Sequence, residues 1–434
     1  MRMPIGRTAA LLTLASAIAS VRVQAQHSGH GMTASDTTPR SLVHVMVQAI
    51  PLVTRAAPTA GGSPGSQLVV SQALVMARLG FWHERGTIAT TLDAEGVTIP
   101  NGELDTGAYG EGFVDRRHPH TYVHELMLTG GRSIGAVTYS ASVGRGFAPF
   151  GTDDPMMRPI EKFPVNHHLS QVLERLAAIG ALRVGPASVE ASTFGGDEPT
   201  QPSSLPRPDR FGDSWSVRAT LLPTRGTELQ ASYARVASPE DASGAGLGQR
   251  KRSVSARHIS TNGARYLLAE WARTVEHDAT RNEDAFGYES VLVEGAARAG
   301  PIGIALRLEQ SDRPEEDRLV EPFRTPRPSP DLSINGITQW RAATLQLAAP
   351  GTSFHAISGI PFVEVARLWA GARDARSVAT PDRLYGTSTL WMLTLGMRLR
   401  AGEAHARMGR YGAADIGGPA IGTLGSGNSA VHTH

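Results

Sequence analysis

Apolar and polar residues alternate with a period of two along most of this 434-residue chain. That pattern limits the chain to strands with two unlike faces. Reading from Asp213, Trp215, Val217, Ala219 and Leu221 fall on one face, and Ser214, Ser216, Arg218 and Thr220 on the other. Pro223-Thr224-Arg225-Gly226 turns the chain, and Leu229, Ala231 and Tyr233 then alternate with Glu228, Gln230 and Ser232. Ile302, Ile304, Leu306 and Leu308 alternate with Gly303, Ala305, Arg307 and Glu309. Trp391, Leu393, Leu395, Met397 and Leu399 alternate with Met392, Thr394, Gly396, Arg398 and Arg400. Leu267, Ala269 and Trp271 alternate less cleanly, because Tyr266 and Leu268 stand on the face shared with Glu270. A helical period shows only around Leu169, Val172, Leu173 and Leu176.

Connections fall into two length classes. Tight links recur near Gly130-Gly131, Val184–Pro186, Pro223–Gly226, Thr261–Gly263 and Ala299–Pro301. Between them lie long stretches rich in Gly, Pro and Asp, at about 96–117, 145–170, 196–212, 238–249, 275–285, 311–335 and 372–387. Long structureless loops are uncommon in compact soluble domains. Alternation of short turns with long loops is the habit of bacterial transmembrane barrels, whereas a soluble sandwich has no reason to sort its loops. The strand count is about 16, an even number that returns the chain to its starting side. The expected fold is therefore all-β: a transmembrane antiparallel β-barrel over residues 41–400. Residues 401–434 form either a last strand or a periplasmic tail. Aromatic residues, at 6%, are few for two interfacial girdles.

The beginning of the chain reads as an export signal. Arg2 and Arg7 precede an apolar run from Thr8 to Val21, and Val23-Gln24-Ala25 supplies small residues for cleavage after Ala25. The run is too short to span a bilayer as a helix. Gln26 in place of Cys gives no lipid attachment point, so residues 1–25 are expected to be a signal peptide and 26–40 a flexible periplasmic segment. The absence of cysteine excludes disulfide frameworks and thiol-ligated metal sites. A net charge of +2 lacks the basic excess that nucleic-acid binding needs.

Several stretches resemble a largely uncharacterised group of Gram-negative outer-membrane barrel proteins, porin-like in architecture. They are Tyr109 to His120, Gly146-Phe147-Ala148-Pro149-Phe150-Gly151 running on to Pro159, and Phe163-Pro164-Val165-Asn166-His167-His168. The likeness implies a fold and a location, the outer membrane, and no reaction. The His- and Met-bearing N-terminus also resembles copper-resistance outer-membrane proteins, though their long Met/His repeats are missing here.

Histidine is the residue type placed most suggestively. His27, His30 and Met32 open the mature chain, and imidazole with thioether suits copper. A second set is His118, His120, His167 and His168 with Asp153 and Asp154. Placing His118 and His120 at the start of a strand puts them on one face, and folding the loop from Arg145 to His168 into the barrel mouth would bring the others near. Mixed nitrogen and oxygen ligation of a divalent ion is then reasonable. The bland alternative is a solvated tail and a hydrogen-bonded loop.

A third set faces inward on this register. It comprises Arg218, Arg257, Arg307, Arg398 and Arg400 against Glu228, Glu270, Glu294, Glu309 and Glu364. In a water-filled lumen such charges line the pore and filter solutes; in a filled lumen they pair with one another. Enzyme motifs are poor. His124-Glu125-Leu126-Met127-Leu128 fails the zinc-protease pattern at Leu128, Gly244 to Gly248 has no strand–helix context, and there is no Gly-x-Ser-x-Gly elbow.

The sequence therefore reads as a non-enzymatic, porin-like outer-membrane channel that passes small solutes or ions and contacts membrane lipid. It needs no cofactor. The second reading is a metal-handling barrel that takes a divalent or copper ion. The third is a barrel hydrolase using His124 or His258 with a nearby serine. The sequence sets no oligomeric state.

Overall fold

The computed structural model describes residues 43–57, 65–83, 85–99, 120–152, 155–165, 167–199, 202–241, 243–316, 334–375, 377, 380, 382–383, 386–402 and 407–415. The expected signal peptide and the 26–40 segment lie outside them.

The first strands are β1 (Val43–Ala57), β2 (Gly65–Phe81), β3 (Gly86–Asp93), β4 (Val123–Ile134), β5 (Val137–Gly146) and β6 (Arg175–Val184). Then follow β7 (Ala187–Phe194), β8 (Ser214–Thr224), β9 (Thr227–Val236), β10 (Gly248–Ile259), β11 (Arg265–Asp278) and β12 (Glu283–Ala299). The last are β13 (Ile302–Glu316), β14 (Ile334–Ala348), β15 (Thr352–Phe354), β16 (Ile357–Ala372) and β17 (Thr389–Gly402). Neighbours in sequence pair antiparallel throughout, and β1 pairs with both β2 and β17. The sheet therefore has no open edge. Strand β15 only lengthens the hairpin between β14 and β16, so the wall is a closed barrel of sixteen strands.

The outer face explains the period of two. Trp215, Leu221, Ile304 and Leu395 are exposed at 42%, 43%, 38% and 52%. A sandwich would have packed these four into a core. Ile304, Leu347, Val363, Leu395, Val53 and Leu68 are successive cross-strand partners, so one apolar row crosses the closing seam. Such a belt is stable in hydrocarbon, and only a closed sheet satisfies its backbone there. The chain is an outer-membrane β-barrel.

Turn and loop ends are sorted as expected, with two departures. The first is that the tight link expected near Gly130-Gly131 falls at residues 135–136, because β4 and β5 keep their pairing out to Ile134 and Val137. At the turn end, β4–β5, β6–β7, β8–β9 and β12–β13 are joined by two residues each. Gly135, Gly185 and Gly300 take positive φ in three of these links, as tight hairpins require. At the other end, residues 94–122, 147–174 and 195–213 connect strands. The expected long loop at 275–285 shrinks to 279–282, because β11 and β12 carry their pairing out to Asp278 and Glu283.

Candidate functional site

All of the expected lumen charges lie on the inner face, and most are withdrawn from water. Glu294 and Arg307 are directly opposite on β12 and β13, both 0% exposed, with Arg307 Nε donating to Glu294 Oε2 at 2.6 Å. Arg218 on β8 faces Glu190 on β7 in the same way and donates through Nε and Nη2 at 2.6 and 2.7 Å. Arg257 reaches Glu228 at 3.1 Å. Cross-strand pairs of this kind satisfy charges that would be costly to bury singly. They belong to a filled lumen.

One filler is the segment 147–174, which leaves β5, crosses the barrel and returns to β6. Gly151 N donates to Ser232 Oγ at 3.0 Å on β9, and Arg158 approaches Glu270 on β11 at 3.4 Å. On the far wall Glu364 accepts Glu161 N and Lys162 N, both at 2.9 Å. Arg307 Nη1 donates to the Lys162 carbonyl, and Glu309 accepts Val165 N at 2.9 Å. Ile160 packs on Tyr266, Leu268 and Leu292, and Leu169 on Ala272, Tyr288 and Ile337. That contact explains the unclean alternation in β11, whose inner face is apolar where the segment touches it. Burial pushes the Glu161 carboxyl up to about 7; Arg398 opposes the rise and Glu364 adds to it. Burial also brings the Lys162 ammonium down to about 8, against Glu309.

The second filler is the C-terminal tail. Strand β17 ends at Gly402, and residues 407–415 fold back into the lumen, neither adding a strand nor leaving the wall. Arg407 and Arg410 both engage Glu228, at 2.6 and 3.0 Å. Arg410 also donates to Gln230 Oε1 at 2.6 Å, and Ala413 N donates to Ser140 Oγ at 2.8 Å. Tyr411 lies against Glu125, and burial, with that carboxylate beside it, raises its phenol well above the usual range.

A cluster of histidines and acids sits where the crossing segment meets the wall at β2–β4. Gln72 adopts φ 46°, at an irregularity where the β1–β2 register shifts after Gln48. This bulge turns Ser71 Oγ and Gln72 N toward Glu95, and both donate to its Oε1, at 2.8 and 3.1 Å. Asp93 Oδ1 accepts Glu95 N at 2.8 Å. The other oxygens, Asp93 Oδ2 and Glu95 Oε2, lie 3.7 and 3.2 Å from His120 Nδ1. His124 Nδ1 contacts Glu174 Oε1 at 2.5 Å, and Glu174 is itself left-handed at φ 56°. The His120 ring is 5.2 Å from that of His124, 5.5 Å from Phe163 and 6.2 Å from His167. Burial opposes a charge on His120, but Asp93 and Glu95 outweigh it and hold the imidazole well above its ordinary range.

His120 and His167 thus approach one another, as the sequence suggested. The route differs. His120 precedes β4 and is not in it, because pairing with β3 ends at Leu92 and Val123. The acids at His120 are Asp93 and Glu95. His27, His30, Met32, His118, Asp153 and Asp154, with the side chain of His168, lie outside the described residues. His258 contacts Thr227 Oγ1 at 3.0 Å on an exposed surface.

Several solved outer-membrane proteins have a similar architecture at very low identity. OprB of Pseudomonas putida at high pH gives a TM-score of 0.49 at 10% identity, covering 82% of this chain and 94% of that one. An anion-selective porin from Comamonas acidovorans gives 0.47 at 9%, covering 83% and 99%. OmpF of Salmonella typhi in complex with daunomycin gives 0.46 at 12%, covering 82% and 97%. No family model and no curated relative matches the chain.

Proposed function

We propose that the protein is a porin-like channel of the outer membrane for small polar solutes or ions, closed at rest by the crossing segment and the returning tail. The observation that carries this reading is the attachment of residues 161 and 162 to Glu364 across the lumen. Both fillers are held by hydrogen bonds and ion pairs to the wall, and water can replace these when the segments leave. Emptying the lumen would expose the Arg and Glu pairs of β7–β8, β9–β10 and β12–β13 to solvent. Their near balance of sign predicts weak ion selectivity. The reading assigns no catalytic step to the chain.

Planar-bilayer recording tests it. The intact chain should show small or infrequent openings, and a chain lacking residues 152–169 should show a steady, larger conductance. Equal conductance of the two, or no current from either, would contradict the proposal.

A further inference from the structure

The geometry points to a divalent metal site formed by Asp93, Glu95 and His120, suited to a zinc-class ion, that closes the base of the β3–β4 connection. The site does not depend on whether the lumen conducts. One ligand atom from each residue can be chosen so that all three lie within 4.8 Å of one another. Ligand atoms around a tetrahedral zinc ion are about 3.3 Å apart, given bonds of about 2.0–2.1 Å, so modest side-chain rotation closes the set.

Three features set this cluster apart from acids that merely share a surface. All three residues are buried, at 2%, 1% and 2% exposure for Asp93, Glu95 and His120. Each carboxylate is anchored through one oxygen and leaves the other, Oδ2 or Oε2, without a hydrogen bond. Both ring nitrogens of His120 also lack one. Buried polar atoms are nearly always satisfied. The three that converge here, Asp93 Oδ2, Glu95 Oε2 and one ring nitrogen of His120, have only one another, through ion-pair approaches of 3.2 and 3.7 Å to Nδ1. Two adjacent carboxylates removed from water carry a large desolvation cost. A proton on His120 would offset one of these charges, and a divalent cation offsets both. Imidazole with two carboxylates suits zinc and its first-row neighbours better than calcium or magnesium, which favour all-oxygen shells.

The position gives the ion a structural task. Asp93 is the last residue of β3, Glu95 stands at the start of the connection to β4, and His120 stands near its end. A bound ion would tie those ends together beneath Phe163 and His167 of the crossing segment.

The test uses the full-length barrel folded in detergent, stripped with chelator and titrated calorimetrically with Zn²⁺ and separately with Mg²⁺. The expected result is one equivalent of zinc, no comparable magnesium binding, and a higher melting temperature with zinc. Binding should persist when His27 and His30 are replaced by Ala. It should be lost in His120→Ala and weakened at least tenfold in Glu95→Gln, with gel heat-modifiability confirming that each variant is a folded barrel. Should His120→Ala not fold, His120→Gln takes its place. No saturable zinc binding by the intact chain would identify His120 as a plain imidazolium partner and overturn the site. Full binding by folded His120 and Glu95 variants, or its loss with His27 and His30, would overturn it equally.

Discussion

Tyr411, in the chain that follows the last strand, donates its phenolic hydroxyl to Glu125 on β4 at 2.6 Å, well inside the barrel. The same oxygen, Glu125 Oε1, accepts Gly409 N at 3.1 Å, so one wall carboxylate holds two points of the tail. Tyr411 Oη in turn accepts Phe147 N at 3.1 Å, which links the tail to the root of the crossing segment. Tyr411→Phe removes both contacts while keeping the ring. Hydrogen bonds to charged groups contribute about 1.5–3 kcal/mol, so the variant should melt at a lower temperature. Bilayer recordings should show more frequent openings as well. A variant identical to the parent in both assays would mean that the tail does not close the lumen.

Glu364 is the far anchor of the crossing segment. Glu364→Ala leaves the backbone N–H groups of Glu161 and Lys162 without their acceptor, at a cost of about 1–3 kcal/mol each. At about 1.4 kcal/mol per factor of ten, the open population should rise at least tenfold. Single-channel dwell times measure this directly. Glu364→Gln keeps one acceptor oxygen and should lie between the two.

The seated segment should also respond to pH through Glu161. Its carboxyl is raised to about 7 when the segment is in place, so the protonated form favours the closed state. That contribution is complete below the ordinary carboxyl value of about 4.5 and is lost as pH rises through about 7. Lys162, lowered to about 8, stays charged in both states below pH 7 and adds little slope there. Opening should therefore increase between pH 5 and pH 7.5, and Glu161→Gln should flatten the profile. Conductance across that range reads the effect, and a profile unchanged by the substitution would remove Glu161 from the account.

The barrel was legible because its outer face is monotonous: Trp215, Val217 and Leu221 repeat the same choice that Leu393, Leu395 and Met397 make. The lumen was less so. Arg407 and Arg410 read as part of either a last strand or a periplasmic tail, since the residues they meet, Glu190 and Glu228, lie about two hundred positions earlier in the chain. In the sequence His120 stands out by residue type, and the partners nearest to it by that criterion lie in the crossing segment. The nearer signal was the Asp93-x-Glu95 pair at the end of β3. Antiparallel neighbours bring the two ends of their connection together, so residues flanking a long loop are spatial neighbours whatever the loop does. The Gln72 bulge that aims Glu95 has no comparable sequence signature.

Gly151 supplies a test of how the segment folds inward. It sits at φ 73°, and a Cβ there would overlap the Ser170 carbonyl oxygen. Ser170 belongs to the returning limb, so the two limbs pass each other at this glycine with only backbone between them. Gly151→Ala adds conformational strain of about 1–3 kcal/mol, and the overlap compounds it. The lowest-cost response is for the limbs to separate, because the wall strands are locked by their ladder. The variant should assemble a barrel of normal strand content by circular dichroism, yet protease should cut between residues 152 and 169 where it spares the parent. Failure to cut would mean that the limbs absorb the methyl group without leaving the lumen.

The last prediction separates the two faces of one strand. Leu395 and Thr394 are adjacent in β17, midway along it, but Leu395 is 52% exposed on the belt and Thr394 is 2% exposed inside. Leu395→Arg would place a charge in hydrocarbon, at a cost of about 2–4 kcal/mol near the bilayer midplane. The same residue carries no comparable penalty in a soluble sandwich, where an exposed position accepts arginine freely. Folding into lipid vesicles, followed by denaturant titration, should show the loss for Leu395→Arg and almost none for Leu395→Ile. Thr394→Val instead removes the hydroxyl that donates to Thr54 Oγ1 at 3.1 Å across the closing seam. Its cost should be about 1 kcal/mol and the same in thick and thin bilayers, because that contact never meets lipid. The Leu395→Arg penalty should fall in thinner bilayers, where the arginine reaches the interface. A penalty independent of bilayer thickness would show that β17 does not face the membrane.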